Sequence, residues 1–217
     1  MKTKLSLIST VLTVLSLAIL LTIYLAWLIY PWEVVSLGLT SWTGLDKATL
    51  LANFNHLMDY LTNPLSQVLN MPDFPSSASG LKHFADVKGL FHLTQTIFLI
   101  TVIPTILFLK KSGQFKSLWI HSKTWWGLVV LPILIGGIGA VLGFETFFTV
   151  FHQLLFPGDS SWLFDPATDP VIMALPANFF LHCFLLFFVI YEILSLTLLC
   201  WSKAQQKQFK QGQKQSF

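Results

Sequence analysis

GLFHLTQTIFLITVIPTILFLKK, residues 89–111, decides the fold. From Leu90 to Leu109 the stretch is uncharged and mostly apolar, and Lys110 and Lys111 close it. About twenty such residues in a helix span the hydrocarbon core of a bilayer. Reading outward, three more stretches have this character: about Leu5–Tyr30 behind Lys2 and Lys4, about Trp125–Phe144, and about Val171–Trp201. The expectation is an all-α integral membrane protein, a bundle of four transmembrane helices. Composition agrees, since 54% of residues are hydrophobic and 11% are charged, against about a quarter charged in soluble domains.

The first apolar stretch is too long for a signal peptide and no small-x-small cleavage pattern follows it, so it is read as a retained span. Orientation rests on lysine, because the chain has 13 lysines and no arginine. Lys2, Lys4, Lys110, Lys111, Lys116, Lys123, Lys203, Lys207, Lys210 and Lys214 fall on one side; Lys47, Lys82 and Lys88 fall on the other. Ten against three puts both termini in the cytoplasm of a multi-pass cell-membrane protein. Nine of the ten carboxylates lie in or beside the outer segments, and Glu192 alone sits within a span. Anionic lipid headgroups account for the basic side, so no nucleic-acid partner is invoked. Cys183 and Cys200 both fall in the fourth span, which removes a disulfide framework and outward-facing thiol chemistry.

The chain reads as one membrane domain, 1–217. Residues 31–89 and 145–170 form outer segments that together make an extracellular cap. A short basic cytoplasmic loop, 110–124, makes the second and third spans antiparallel neighbours. The tail, 202–217, is rich in Lys and Gln and is expected to be mobile. Within the first outer segment, Leu50, Phe54, Leu57, Met58 and Leu61 recur at helical spacing behind Asp46, which predicts an amphipathic helix over 46–61. Pro64, Pro72 and Pro75 then break regular structure. Gly136, Gly137, Gly139 and Gly143 form a small-residue series suited to close helix packing.

Histidine supplies the strongest chemical signal, being the side chain that titrates near neutral pH. His83 precedes the second span and His152 follows the third, each by less than about two helical turns. Because those spans are neighbours, both rings are expected at matched depth at the outer interface, in one site. The plain alternative for either ring alone is a bond to a loop carbonyl. Asp86, one turn after His83, suits a residue that orients the ring, and equally an N-cap of the second span. His92, near the membrane limit, is expected to support the same site. His182, inside the fourth span, is read as a neutral histidine bonded across helices. His56 and His121 receive no role.

Competing chemistries are weakly represented. There is no His-Glu-x-x-His, no Gly-x-Ser-x-Gly and no phosphate-cradling Gly-Lys-Ser/Thr loop. Two histidines with Asp86 or Asp165 form a conceivable zinc set, but no ligand spacing demands one. Ser160 and Ser161 are conceivable nucleophiles, although a Gly-Asp-Ser-Ser turn explains them more simply. Trp32, Trp42 and Trp162 suit interfacial anchoring, or the lining of a lipid path.

The segment Lys82-His83-Phe84-Ala85-Asp86-Val87-Lys88, followed directly by a span, resembles the first signature of the bacterial lipoprotein intramolecular transacylases, the Lit family. Phe151-His152-Gln153-Leu154-Leu155-Phe156, then Trp162-Leu163-Phe164-Asp165-Pro166, Asp169-Pro170 and Phe179-Phe180, resemble the second. The resemblance implies an acyltransferase that makes lyso-form lipoprotein. The sn-2 acyl chain of a diacylglyceryl group would move to the α-amino group of the lipoprotein's own N-terminal cysteine. It implies catalysis by His83 and His152; Asp86, His92, Trp162 and Asp165 are read from their positions as supporting them or binding substrate. The partners are the diacylated lipoprotein and membrane lipids, and no cofactor or metal is expected. Two other classes stay in view: a non-catalytic membrane accessory protein and a metal-dependent membrane hydrolase.

Overall fold

A computed structural model describes residues 2–114 and 121–214, and over these the chain is helical with turns and no strand. The elements are α1 (Lys2–Ser36), α2 (Leu39–Thr43), α3 (Lys47–Thr62), α4 (Ala78–Gln114), α5 (Ser122–Leu142), α6 (Phe144–Leu155), α7 (Val171–Ala174) and α8 (Ala177–Lys214). Among the described residues α1, α4, α5 and α8 are the helices long and apolar enough to cross a membrane.

The long helices outrun their apolar cores. α1 continues through Pro31 to Ser36, and α4 begins at Ala78, so His83 and Asp86 lie within the helix rather than before it. Asp86 is therefore not an N-cap; Ser77 fills that place, its Oγ accepting the Gly80 N–H at 3.0 Å. The third apolar stretch is cut at Gly143, whose φ of 83° is strained for any residue with a side chain, and α6 starts immediately after it. The fourth is cut between α7 and α8, where Pro176 precedes the long helix. The tail expected to be mobile continues α8 as far as Lys214. Lys116, one of the ten lysines used for orientation, lies outside the described residues. The 46–61 expectation meets α3, with the Asp46 side chain accepting the Thr49 N–H at 2.7 Å as its N-cap.

Two compact units divide the chain, and α1, α4, α5 and α8 supply residues to both. The first comprises Met1–Leu21, Gln95–Val141 and Leu186–Phe217. Its core joins Val14, Ala18, Trp125, Val129, Tyr191, Leu198 and Leu199. Hydroxyls bind α1 to α4: Ser9 Oγ donates to the Thr101 carbonyl at 3.0 Å, and Thr13 Oγ1 lies 2.9 Å from Thr101 Oγ1 and 2.8 Å from Thr105 Oγ1. In the glycine series, Gly136 sits against Phe188, Gly137 has open space around it, and Gly143 makes the break already described.

The second unit comprises Thr22–Thr94 and Leu142–Leu185. Its core is aromatic. Tyr30 stacks on Phe54 at 3.6 Å between centroids and takes Phe179 edge-on, while its hydroxyl donates to the Ala174 carbonyl at 2.9 Å. Leu50 and Leu57 on α3 and Val34 on α1 are buried as well. Every residue of the site described next belongs to this unit.

Candidate active site

His83 stands on the second turn of α4, and the start of that helix is fixed by a carboxylate distant in sequence. Asp169, 3% exposed, accepts the Ser77 N–H at 2.8 Å on one oxygen. Its other oxygen accepts the hydroxyls of Ser77 at 2.8 Å and Thr168 at 3.0 Å. A helix N-terminus favours a negative charge at this position. Gly80 leaves room for it, since a side-chain carbon there would collide with the Asp169 carboxylate.

His152 stands on α6, where Phe144, Phe147, Phe148 and Phe151 recur at helical spacing. The two histidine rings meet at 5.9 Å between centroids, and each residue is 8% exposed. Phe148 lies 4.1 Å from the His152 ring and Trp162 stacks on it at 4.9 Å and 29°. Phe156 and Phe164 present their edges to His83 at 5.1 and 5.5 Å.

One hydrogen bond decides what His152 can do. Its Nδ1 lies 2.8 Å from the Phe148 carbonyl oxygen, which can only accept, so Nδ1 carries the proton. In the neutral ring Nε2 then holds a lone pair and can take a proton. Burial lowers the pKa of His152, and the bond to Phe148 opposes that shift without reversing it. On His83 the buried Nδ1 has no hydrogen-bond partner.

Charge gathers at one edge of this aromatic chamber. Lys82 donates to Asp86 at 3.0 Å and also to Asp159. That ammonium, with the Ser161 N–H, holds the Asp159 carboxyl far below the usual range, at about 2. Asp86 thus bonds Lys82, its neighbour at helical spacing i+4, rather than the His83 ring. Asp165 is exposed and accepts the Ala167 N–H at 2.9 Å, a turn contact. His92 lies nine residues past His83 on α4, about 13 Å along the axis, away from the pair. His182 is bonded across helices as expected of it: its Nδ1 lies 2.9 and 3.0 Å from the two oxygens of Glu33, a fully buried carboxylate on α1. Trp32 and Trp42 are exposed.

Lys82, Asp159, Asp169 and Phe164 gain contacts that their sequence context does not announce, because Asp in a Gly-Asp-Ser or Asp-Pro context reads as turn chemistry. Only the phenylalanines at helical spacing on α6 were open to sequence reasoning. Among the described residues, no group of three or more His, Cys, Asp or Glu side chains converges as a metal site requires.

The model of the lipoprotein intramolecular transacylase Lit family matches residues 4–180. The chain belongs to that family. Its fold is similar to the in meso structure of the membrane-integral lipoprotein intramolecular transacylase Lit from Bacillus cereus, with a TM-score of 0.84 and 25% identity over 97% of this chain and 96% of that one. Variants of the Bacillus cereus protein with one histidine replaced by arginine or by alanine superpose with TM-scores of 0.78 and 0.79 at 24% identity, covering 97% of this chain and 93% and 94% of theirs. No curated protein matches. The protein is thus a multi-pass, all-helical membrane acyltransferase whose reaction is intramolecular acyl transfer in lipoproteins.

Proposed function

We propose that His83 and His152 carry this transfer, moving the sn-2 acyl chain of a diacylglyceryl lipoprotein to the α-amino group of its N-terminal cysteine. The observation behind this reading is the tautomer of His152: a buried ring whose Nδ1–H is committed to Phe148 and whose Nε2 is left as an acceptor, 5.9 Å between centroids from a second buried ring. An α-ammonium group has a pKa of about 8 and must lose its proton to attack. The ammonium proton goes to solvent, and His152 Nε2 takes a proton of the neutral amine as its nitrogen adds to the ester carbonyl carbon and the carbonyl electron pair moves to oxygen. Collapse of the tetrahedral species breaks the bond to the glyceryl oxygen, which receives a proton from an imidazolium of the pair. Donor and acceptor share one molecule, so no acyl-enzyme is required. The main task is to fold the lipid back into a ring of about eight atoms, a proximity effect. Apolar walls of phenylalanine and tryptophan suit an acyl chain in that posture.

The lysine count supports placing this chemistry at the outer face with both termini in the cytoplasm. In a background lacking Cys183 and Cys200, cysteines at Ser79 and Ser160 label with an impermeant thiol reagent on intact cells, and one at Ser112 does not. Labelling at Ser112 without lysis refutes that orientation.

Activity is tested on purified protein in detergent with a diacylated lipopeptide, read by mass spectrometry. Transfer leaves the mass unchanged and blocks the amine. Loss of one acyl chain identifies a hydrolase, and an unchanged free amine identifies an accessory protein; either result overturns the reading.

A further inference from the structure

Residues 159–169 cross over the histidine pair and are tied to the start of α4 at both ends. At one end Asp169 accepts the Ser77 N–H and hydroxyl; at the other Asp159 accepts from Lys82, the residue before His83. Between the ties, Trp162 lies on His152, and Phe164 sets its edge against His83 at 5.5 Å and Phe84 at 5.4 Å. Asp159 also grips this segment from within, its Oδ1 accepting the Ser161 N–H at 2.9 Å and its carbonyl the Trp162 Nε1–H at 3.0 Å.

The two ties differ in kind. Asp169 is buried and accepts three donors, two of them from the cap of α4. The side chains of Lys82 and Asp159 are 57% and 25% exposed. An exposed ion pair is weak and screened by salt, whereas buried charge-assisted bonds persist. Both histidines are 8% exposed beneath the segment, so an ester and an amine reach them only when part of the cover moves. The Lys82 end is the part that yields.

We infer that Lys82 and Asp159 are positioning residues for the transfer: their ion pair seats Trp162 on His152 for the reaction, and its release frees the strap, hinged at Asp169, to admit the lipid. This rests on the histidine pair being the reacting site. His83 is the titratable group against His152, and the charges that act on His83 are Lys82 and Asp86 on α4 and Asp159 on the strap.

The test uses full-length protein in detergent with the diacylated lipopeptide. Asp159→Asn keeps an oxygen for the Ser161 N–H and removes the charge; Lys82→Met removes the cation. Each lowers kcat by about 10-fold to 100-fold, the scale of a slightly misplaced reacting group. Each also moves the acid limb of the rate profile upward in pH, because Trp162 no longer shields the ring. Asp159→Glu and Lys82→Arg retain most of the rate. Adding Trp162→Ala to Asp159→Asn costs little more, since both act through the same ring contact. Salt slows the wild type and leaves Asp159→Asn unaffected, an arm that holds even where other variants fold poorly. Wild-type kcat, acid limb and salt response in both charge-removing variants overturn the inference while leaving the histidine reading intact. Normal transfer by folded His152→Ala overturns both.

Discussion

Glu192 apart, the two compact units bury their polar atoms in different ways. In the first, Ser9, Thr13, Thr101 and Thr105 satisfy one another across two helices. Hydroxyls paired in this manner act as glue in a membrane, each contributing modestly. In the second, titratable side chains are buried among aromatic rings, and some of their valences stay open, as at His83 Nδ1. A buried group without a partner costs about 1–3 kcal/mol, so such a site is built at the expense of stability. The contrast separates a part that holds from a part that reacts. It can be attacked by asking whether rate and stability respond to different units.

The largest effect is expected at the histidine pair. Replacing either His83 or His152 by alanine lowers the transfer rate by about 10² to 10⁴, the range of general acid–base catalysis. The double variant loses far less than the product, because groups acting as a unit are strongly non-additive. Monodisperse protein in detergent establishes that each variant is folded. A folded single variant with near-normal transfer would falsify the catalytic assignment and leave the family membership standing.

A smaller effect is expected from pH. Burial holds the His152 pKa below its ordinary value of 6.5, and a base acts only when neutral. After allowance for the substrate amine, kcat therefore stays level as pH falls through 6.5 and declines only as it passes the lowered pKa. Below that point the ring is protonated, Nε2 has no lone pair, and transfer stops. An acid limb centred at or above 6.5 contradicts a buried neutral base. Protein unfolding is followed in parallel, since protons also bind more readily to the unfolded ring.

Much of this division can be read from the residues. The four apolar runs are closed by charge or by turn residues, and bilayer thickness does the rest. The meeting of His83 and His152 follows from a short loop joining two antiparallel spans. What escapes are the limits of the helices, because Lys82, Asp86 and Lys88 look like loop residues although α4 already runs through them. Gly143 is indistinguishable by composition from Gly136 and Gly137; only its backbone angle marks the break before α6. Glu33 and His182 stand 149 residues apart, and no local pattern joins them. Asp159 and Asp169 sit in turn contexts that satisfy an Asp locally, which hides their bonds to α4.

The smallest effect is expected at Glu192. It is the one carboxylate assigned to a span from the sequence, and it lies in the first unit, buried at 9% exposure, with neither side-chain oxygen hydrogen-bonded. A carboxyl group in that condition contributes nothing to a paired network and costs desolvation, so an apolar side chain of similar size should be tolerated. Glu192→Leu is expected to leave kcat within about twofold and to leave thermal stability in detergent unchanged or higher by roughly 1 kcal/mol. The opposite outcome is informative because an ionisable group inside a membrane ordinarily signals function. Were folded Glu192→Leu to lose transfer on the scale of the histidine variants, the first unit would hold part of the chemistry, and the separation between a holding and a reacting unit would fail.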